Sequence, residues 1–501
     1  MKTGAKKEEF GSSPVSLFNL ICQIEQQFPV NSLESVDGTK IWNLLRVLIY
    51  FYFQKKTNIK KKNFFLKKMI YMLWESIKPL HLPKKQIEFC GFSGTESRKL
   101  VGNFFYDIYM DPLYEILGDD YYVFEWTTPS GYRRNYEKNI YSKNYVPMHI
   151  PLFSKASFRL LLYKVIKKSL YRLKSDNCLK EIISFVCCRT SLSDKEFSKY
   201  IYDSLEVFFV LKEFFYHILK KMCPKIIFLR CGYGRFHMAL SQACRELNIP
   251  SIELQHGIIT KYHVGYVKHT FSDNRDCVPD YILTYGDVFT KIIKGGSLFD
   301  SKKVISIGFP YIDRVKKYPP QVSRDLLNFI SKFSIILLVT SQWIVAKEIK
   351  NFYQKLLKFQ NHDLKIGIIF KPHPRDWRDY SDIKKYNNVF LADKYGDIYE
   401  FLKIIDIHST VSSTSGIEAL VYGKPNIYVD VGTSVQDIFD VIDEKSSFLV
   451  NSSHQFMEKL KYIISNYESV SKEAEKKSIL YFKPNALKNM KKFLDSRILR
   501  N

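Results

Sequence analysis

Short apolar runs alternate with amphipathic helical stretches along most of this chain. Each run ends in a glycine-containing or polar loop and is followed by a helical pattern, which is the order of elements in a parallel α/β sheet. A Tyr-Pro-Pro-Gln segment at residues 318–321 interrupts the rhythm, which then restarts. We therefore expect an α/β fold with two sheet domains of the same plan. The predicted strands are residues 86–93, 121–126, 225–229, 249–254, 281–284, 304–307, 334–340, 365–370, 388–392 and 426–430.

The segments outside these strands are predicted to be mainly helical. A polar loop at residues 94–97 is expected to lead from the first strand into a helix. The predicted regions are a basic, aromatic helical region at 1–80, a first α/β domain at 81–320 with a helical insertion near 155–222, a second α/β domain at 321–453, and terminal helices at 454–501 that could cross back onto the first domain.

The N-terminal region combines aromatic residues with a cluster of lysines. Residues 41–53 are mostly apolar, and seven lysines lie between Lys55 and Lys68, with Phe64 and Phe65 among them. Apolar rings beside lysines are typical of a helix at an anionic lipid surface. A solvated basic face on a core helix explains the same composition, so both interpretations stay open.

The whole chain is strongly basic. Its 501 residues contain 76 Lys and Arg against 51 Asp and Glu, a formal net charge of +25. One explanation of this excess is codon bias, because Ile, Asn, Phe and Tyr are abundant as well. The alternative is a polyanionic partner, such as a lipid headgroup surface, an acidic glycan or a nucleic acid. The apolar content of 46% excludes a disordered or collagen-like chain.

Cysteine usage and targeting signals indicate the compartment. The nine cysteines form no C-x-x-C pair, which is typical of reduced thiols in a cytosol. The N-terminus lacks the apolar core of a signal peptide, and no stretch reaches the ~20 apolar residues of a spanning helix. We expect a cytoplasmic protein that is peripheral on the inner face of the plasma membrane.

Unusual polar clusters follow several predicted strands, where ligands bind in parallel α/β sheets. In the segment Lys371-Pro-His373-Pro374, two prolines stiffen the turn, so that the lysine and histidine can neutralise a phosphate. An incidental histidine in a turn is the simpler interpretation.

The segment 409–415 holds six hydroxyl residues in seven positions before a predicted helix, which indicates an anion site. Glu418, in the first turn of that helix, could accept hydrogen bonds from ribose hydroxyls. An ordinary helix cap is the alternative. The hydroxyl residues singled out for the donor site are Ser412, Ser413, Thr414 and Ser415.

Clusters after the first-domain strands are candidates for acid–base chemistry and acceptor binding. Gln255-His256-Gly257 ends a strand, and the imidazole of His256 suits proton transfer near neutrality. A structural histidine in the domain seam is the alternative, and the base could instead be Glu96, in the loop after the first strand. The residues singled out for acceptor binding are Ser93, Gly94, Arg230, Arg235, Gln255 and His263.

Motifs of other enzyme classes are missing from the sequence. It has no G-x-x-x-x-G-K-[ST] and no G-x-S-x-G segment, which argues against a P-loop ATPase and an α/β-hydrolase. It also has no H-E-x-x-H, D-x-D or clustered Cys/His set, so we expect neither a metal site nor a cofactor.

Several segments in their order resemble the GT-B bacterial surface-polysaccharide glycosyltransferases, including capsule-type and polysialyltransferase-type enzymes. The segments are Gln255-His-Gly257 with His263 and Gly265-Tyr266, residues 281–289, Ile307-Gly-Phe-Pro310, Lys371-Pro-His-Pro374, and residues 412–420 with Gly423-Lys-Pro425. The likeness covers roughly residues 225–450. A more distant likeness extends to the teichoic-acid glycerophosphotransferases and the UDP-N-acetylglucosamine 2-epimerases.

The resemblance implies two Rossmann-like domains facing a central cleft, with an acceptor domain first and a nucleotide-sugar donor domain second. It also implies that His373-Pro374 and the 412–415 segment bind the donor phosphate, and that His256 is the base by likeness to the glycerophosphotransferases. The carboxylate pair before glycine found in polysialyltransferases has no clear match, because Asp119-Asp120 follows its glycine, Gly118. Identity of the base is therefore left open.

The expected function is metal-independent transfer of a sugar from a CMP- or UDP-sugar to a growing capsule or lipopolysaccharide glycan, which could be lipid-linked, at an anionic membrane surface. Nucleic acid is not an expected partner. The alternatives are a CDP-alditol phosphate transferase, an epimerase of the same fold, and a non-enzymatic lipid- or nucleic-acid-binding protein.

Overall fold

A computed structural model describes most of the chain. The described residues are 13–56, 82, 87–94, 97–126, 140–148, 173–190, 192–270, 273–343, 345–358, 365–374, 376, 378–393, 396–432 and 441–497. The candidate base Glu96 and most of the lysine cluster after Lys56 lie outside these residues. The statements below concern the described residues.

A seven-stranded, fully parallel sheet forms the first domain. Its strand order is β5-β4-β1-β6-β7-β8-β9. Strands β4 and β5 extend the sheet on one side of β1, and strands β6 to β9 extend it on the other, which is the doubly wound arrangement. The strands are β1 (Phe89–Gly94), β4 (Tyr121–Trp126), β5 (Tyr145–Pro147), β6 (Ile226–Leu229), β7 (Ser251–Leu254), β8 (Tyr281–Thr284) and β9 (Val304–Ser306).

A six-stranded, fully parallel sheet forms the second domain, in the order β12-β11-β10-β13-β14-β15. Its central strands are apolar on both faces because helices cover both sides, as the near-continuous burial of β10 and β11 shows. The strands are β10 (Ile335–Thr340), β11 (Ile366–Lys371), β12 (Val389–Leu391), β13 (Ile407–Thr410), β14 (Asn426–Val429) and β15 (Ser447–Val450).

A β-hairpin stands where the sequence predicted a helix after the first strand. Its strands are antiparallel, β2 (Arg98–Val101) and β3 (Phe104–Asp107), and Gly102 takes a positive φ of 59° at the turn. Gly-Asn between two β-prone runs is a recognised signal for a two-residue hairpin loop. The helical prediction for this stretch was wrong, because the Gly-Asn pair favours a hairpin turn at this point. A helix begins only at Asp111.

Helices cover both sheets and make up most of the described residues 13–56. They are α1 (Pro14–Gln27), α2 (Trp42–Lys56), α3 (Asp111–Leu117), α4 (Asn177–Thr190), α5 (Asp194–Met222), α6 (Arg235–Glu246), α7 (Asp287–Lys294), α8 (Pro310–Lys317), α9 (Arg324–Ile330), α10 (Ala346–Lys358), α11 (Ser381–Lys384), α12 (Tyr399–Leu402), α13 (Ser415–Leu420), α14 (Ser453–Ser465), α15 (Tyr467–Tyr481) and α16 (Ala486–Arg497).

The apolar run at residues 41–53 packs inside the first domain. Trp42, Leu44 and Leu48 on α2 are almost fully buried. Arg46 on the same helix is also fully buried, and its guanidinium pairs with Glu25 of α1 at 3.2 Å and donates to the Val267 carbonyl at 2.7 Å. The apolar character of this run therefore reflects core packing. Among the helices of the described segments, none combines the length and apolar character needed to cross a bilayer.

The last helix of the chain returns to the first domain. Met490, Phe493 and Leu494 of α16 are buried in one apolar cluster with strands β1, β4, β6 and β7 of the first sheet. The Asn489 amide donates to the Ile307 carbonyl at 2.9 Å, and the Lys483 amide donates to the Tyr285 carbonyl at 2.8 Å. The C-terminal segment thus covers part of the first domain after the second domain has been completed.

Candidate functional site

The polar clusters of both domains lie at the carboxyl ends of their parallel strands. In the first domain, Arg230 follows β6 and His256 follows β7. In the second domain, Lys371 is the last residue of β11, and Ser412 follows β13. These are the edges at which open α/β sheets bind ligands.

His256 is held by two tyrosines. The Tyr233 hydroxyl lies 3.2 Å from Nε2 of His256, and the Tyr109 hydroxyl donates to the His256 carbonyl at 3.1 Å. Burial lowers the pKa of the imidazole to about 3, and the charges of Arg230 and His263 act in the same direction. The ring is therefore neutral at physiological pH and able to accept a proton once its surroundings favour the charged form.

An aromatic cluster stands behind His256. The Tyr233 ring contacts the His263 ring at 4.8 Å between centroids, and the His263 ring contacts Tyr266 at 4.6 Å. The Tyr266 hydroxyl donates to the buried Glu253 carboxyl at 2.5 Å. Burial raises the pKa of Glu253 to about 8 and lowers that of His263 to about 4. His263 accepts from the Gly265 amide at its Nδ1, so it orders this loop.

Gln255 and Arg230 support the His256 loop from two sides. The Gln255 side chain donates to the Gly257 carbonyl at 2.7 Å and accepts from the Tyr285 amide at 2.8 Å. Because Gln255 is 1% exposed, its amide braces the turn from inside the domain. Arg230 donates to the Ser97 hydroxyl at 3.0 Å, and its charge acts on His256, Tyr109 and Tyr285.

The other residues singled out in the first domain lie in different surroundings. Arg235 donates to the Ser204 hydroxyl on the long helix α5 at 3.2 Å, away from the His256 loop. Ser93 is fully buried in β1, and its hydroxyl has no hydrogen-bond partner among the described residues. Gly94 ends β1 opposite Trp126. Glu96 lies outside the described residues.

Lys371 is the buried cation of the second domain. It is 7% exposed, and its Nζ donates to the Asp393 carbonyl at 3.1 Å. Burial lowers its pKa to about 8, so most of the ammonium is still charged at neutral pH. His373 and Pro374 are partly exposed in the following turn, where the His373 carbonyl accepts from the Asp376 amide at 2.8 Å.

The six hydroxyls of residues 409–415 divide into two groups. Three of them turn inward, where Ser409 donates to the Ile427 carbonyl, Thr410 donates to the Thr340 carbonyl, and Ser415 shares a hydrogen bond with the Thr340 hydroxyl. The other three are partly exposed: Ser412 is bonded to Gln342 at 3.1 Å, Ser413 accepts from the Ser415 amide at 3.3 Å, and Thr414 precedes α13. Only this second group faces outward.

A buried histidine is linked to the inner hydroxyl of Ser415 through the hydroxyl of Thr340. His408 lies 3.0 Å from the Thr340 hydroxyl through Nε2 and 2.6 Å from the Asn426 side-chain oxygen through Nδ1. Asn426 in turn donates to the Gly416 carbonyl at 2.7 Å. Burial lowers the pKa of His408 to about 4. This network fixes the start of α13 against β10 and β14.

Glu418 lies between the two domains. Burial raises its pKa to about 7, and the charge of Asp397 adds to the rise, while Lys99 acts in the opposite direction. Its charge also raises the pKa of two first-domain tyrosines, Tyr109 and Tyr285, although less than burial does. Tyr109 is the residue that bonds the His256 carbonyl. The charge of Glu418 thus acts on the tyrosine that bonds the His256 carbonyl.

Helix α8 joins the two sides of this cleft. The Tyr311 hydroxyl donates to the Asp397 carboxylate in the second domain. On the other side, the Tyr311 ring stacks on Tyr106 of β3 with centroids 5.9 Å apart, and Arg314 pairs with Glu115 of α3. These contacts fix the second domain relative to the hairpin and α3 of the first.

Several residues of this cleft were missed by sequence analysis. Tyr109, Tyr311 and Asp397 lie in loops or at helix starts without a motif, and aromatic residues are common throughout the chain. The Gly102-Asn103 turn was the signal that could have located the hairpin and hence the position of Lys99. In the described residues, no group of three His, Cys, Asp or Glu side chains is arranged to hold a metal ion.

Comparison with known proteins gives matches at the level of structure. No protein-family model matches the sequence, and no curated protein matches it either. The chain superposes on S. aureus MnaA, solved with UDP, with a TM-score of 0.52 and 12% identity, covering 82% of this chain and 96% of that one. It also superposes on the UDP-GlcNAc 2-epimerase of Neisseria meningitidis, bound to UDP-GlcNAc, with a TM-score of 0.50 and 14% identity, covering 83% and 100%.

These matches establish the fold. The chain has the GT-B-type architecture, in which two Rossmann-like domains with parallel sheets face a central cleft. The predicted fold class is thus confirmed. At 12% and 14% identity the likeness extends to the fold alone.

Proposed function

We propose that this protein is a glycosyltransferase, which moves a sugar from a nucleotide-activated donor to a hydroxyl of a growing surface glycan. The observation that supports it most is that His256 in the first domain and Lys371 in the second both lie at the carboxyl ends of their parallel strands. A potential base on one side and a buried lysine on the other suit a two-substrate transfer reaction.

In this proposal His256 removes the proton of the acceptor hydroxyl, which then attacks the anomeric carbon of the donor. The bond from that carbon to the leaving phosphate oxygen breaks, and negative charge develops on the phosphate. Lys371, His373 and the outward hydroxyls of Ser412 and Ser413 would stabilise that charge. A bound phosphate would also favour the imidazolium form and raise the low pKa of His256 toward neutrality.

Glu418 is proposed to bind the donor through the ribose hydroxyls, because it lies in the first turn of α13. With a pKa of about 7, it exists in both protonation states near neutrality and can accept or donate a hydrogen bond. Arg230, held beside Ser97, is proposed to orient an anionic acceptor. Arg235 is a weaker candidate, because the serine that it bonds, Ser204, lies on helix α5 and not in a loop that follows a strand.

The ligands of the similar structures support a nucleotide-sugar donor, since one was solved with UDP and another with UDP-GlcNAc. We propose a UDP- or CMP-sugar as donor and a capsule or lipopolysaccharide glycan, free or lipid-linked, as acceptor. The basic character of the chain supports a location at an anionic membrane surface, at the inner face of the plasma membrane.

A second candidate function is epimerisation of a nucleotide sugar. The superposition on an enzyme of that activity over 83% of this chain supports it. The two candidates differ in their need for an acceptor: an epimerase converts UDP-GlcNAc alone into a new sugar isomer, whereas a transferase releases nucleotide only with an acceptor. Proton NMR of the donor, incubated with the protein and no acceptor, separates them. Appearance of a second isomer would overturn the transferase proposal.

The experiment that tests the donor site is thermal unfolding with CMP, CDP, UDP and GDP in turn. A nucleotide at a hundred times its Kd adds about 2.7 kcal/mol to the free energy of unfolding. We expect one of them to raise the Tm, and His373→Ala to abolish the rise. His454→Ala is the control, because His454 is an exposed histidine on α14. Absence of a shift with all four nucleotides would refute the proposed function. CDP as the sole stabiliser would favour an alditol-phosphate transferase.

A further inference from the structure

We propose that the C-terminal arm, which we define as residues 479–492, is the surface with which this protein docks on an anionic lipid bilayer. The arm comprises the end of α15, the connection 482–485 and the first part of α16. The inference rests on the membrane location in the proposed function, and it assigns that location to particular residues.

The arm lies in a basic segment of the chain. Residues 476–494 contain six lysines and no Asp or Glu. Two of these lysines are already paired, Lys476 with Glu473 at 2.6 Å and Lys477 with Asp443 at 2.8 Å. The remaining four are exposed: Lys483, Lys488, Lys491 and Lys492. A group of exposed lysines of this kind is attracted to anionic lipid headgroups.

Helix α16 places its lysines on the face that points away from the first sheet. Its apolar face is buried against that sheet. Lys488, Lys491 and Lys492 follow one another at the three- and four-residue spacing of the opposite face. They have no hydrogen-bond or ion-pair partner among the described residues. Asp495 is the one acidic residue of this helix, and it lies a turn beyond Lys492. The outer face of α16 is therefore available to an anionic partner.

Two large apolar side chains are exposed just before these lysines. Ile479 is 60% exposed and Leu480 is 54% exposed, whereas the next residue, Tyr481, is buried. Exposed aliphatic groups beside lysines are typical of a surface that enters the interface of an anionic bilayer. Nucleic acid binds mainly through its phosphates, which do not favour aliphatic side chains. The combination therefore favours a lipid surface over a nucleic acid.

The arm is fixed at the carboxyl edge of the first sheet. Gly286 and Gly308 follow β8 and β9, and a Cβ atom at either position would overlap the backbone of the arm, at the carbonyl oxygens of Tyr481 and Lys483 respectively. Glycine permits this close approach because it has no Cβ. His256 lies at the same edge of the sheet. A bilayer bound to the arm would therefore hold a lipid-linked acceptor close to the proposed base.

The test is sedimentation of the full-length protein with phosphatidylcholine vesicles, prepared with and without phosphatidylglycerol. A lysine near an anionic surface changes partition about fivefold. We therefore expect the triple variant Lys488→Gln/Lys491→Gln/Lys492→Gln to bind anionic vesicles about a hundredfold more weakly than the wild type. The double variant Ile479→Ser/Leu480→Ser should lose about tenfold, because its apolar groups no longer enter the bilayer.

Matched controls carry the same changes at other exposed positions. Lys195→Gln/Lys220→Gln/Lys221→Gln removes the same charge from α5. Leu327→Ser removes an aliphatic side chain that is 45% exposed on α9. Both controls should bind anionic vesicles nearly as well as the wild type. The rise in Tm with nucleotide shows that each variant is folded and keeps its donor site.

The outcomes distinguish this inference from the proposed function. Equal losses in the arm variants and in their controls would mean that net charge alone determines binding, which contradicts the inference. If Lys60→Gln/Lys61→Gln/Lys62→Gln abolishes binding and the arm variants do not, the inference fails and the proposed membrane location stands. If the wild type binds neither kind of vesicle, the inference and the membrane location fail together, while the nucleotide experiment still decides whether the protein has a donor site.

Discussion

The hydroxyl of Tyr233 lies 3.2 Å from Nε2 of His256, and the two rings are 5.6 Å apart between centroids. This contact fixes the direction in which the imidazole faces the cleft. Tyr233 itself stays protonated, because burial raises its pKa well above the usual range. Tyr233 is therefore a positioning residue for the proposed base.

The first prediction concerns Tyr233→Phe. The variant keeps the ring but loses the hydrogen bond, so we expect kcat to fall about fivefold, in line with one hydrogen bond of ~1 kcal/mol. Nucleotide affinity should be unchanged, since Tyr233 lies in the first domain. Steady-state rates together with nucleotide titration check this. A weaker nucleotide affinity with an unaltered kcat would show that Tyr233 does not act through His256.

The second prediction concerns the buried ion pair Glu25–Arg46. Glu25→Gln leaves the Arg46 guanidinium without its counter-ion in the core, so we expect a loss of about 3–5 kcal/mol in the free energy of unfolding. Asp203→Asn is the matched control, because the Lys199–Asp203 pair is exposed on α5 and contributes about 0–1 kcal/mol. Urea denaturation measures both. Similar losses in the two variants would contradict the burial argument.

The third prediction concerns pH and Glu253. Its pKa in the folded chain is raised from 4.5 to about 8, so the folded state keeps a proton that the unfolded state releases between these values. Stability therefore falls as pH rises through this interval, by at most about 1.4 kcal/mol per pH unit. Glu253→Gln removes this dependence. We expect urea denaturation at pH 5.5 and pH 8 to show a smaller loss in the variant than in the wild type; equal losses would contradict the prediction.

The fourth prediction concerns Asn426→Ala. The substitution removes the partner of His408 Nδ1 and of the Gly416 carbonyl in a fully buried site, so we expect a loss of about 2–3 kcal/mol. Asn451→Ala, at an exposed position after β15, should change stability by less than about 0.5 kcal/mol. Thermal and urea unfolding of both variants test this. A neutral Asn426→Ala would mean that the network is not needed to hold α13.

Much of the fold could be predicted from the sequence because buried parallel strands are short apolar runs with clear ends. Strands β4 and β8 have the predicted bounds, and β10 and β11 differ from theirs by one residue. Such strands are buried on both faces, so they are continuous apolar runs in the sequence, and a glycine-containing loop marks where each ends. The edge strands β5 and β15 were missed, since each is short and only partly apolar.

The site could be predicted only in outline. Residues next to strand ends, such as His256 and Lys371, can be recognised in the sequence, because they are polar residues that directly follow an apolar run. Their partners do not stand out, because Tyr233, Tyr311 and Asp397 are brought together by tertiary packing between distant segments. The hydroxyl-rich segment was overinterpreted for a related reason: residue type does not reveal that Ser409, Thr410 and Ser415 turn inward.

The return of α16 to the first domain has a consequence for synthesis. Met490, Phe493 and Leu494 are synthesised after the whole second domain, yet they complete an apolar cluster that includes Phe89 and Met110. Domains usually fold in the order in which they emerge from the ribosome. Here the first domain must wait, with a strip of its apolar surface uncovered, until the second domain has been made. A nascent chain stalled before residue 486 would be a substrate for chaperones, and truncation of the C-terminus would damage the domain farthest from it in sequence.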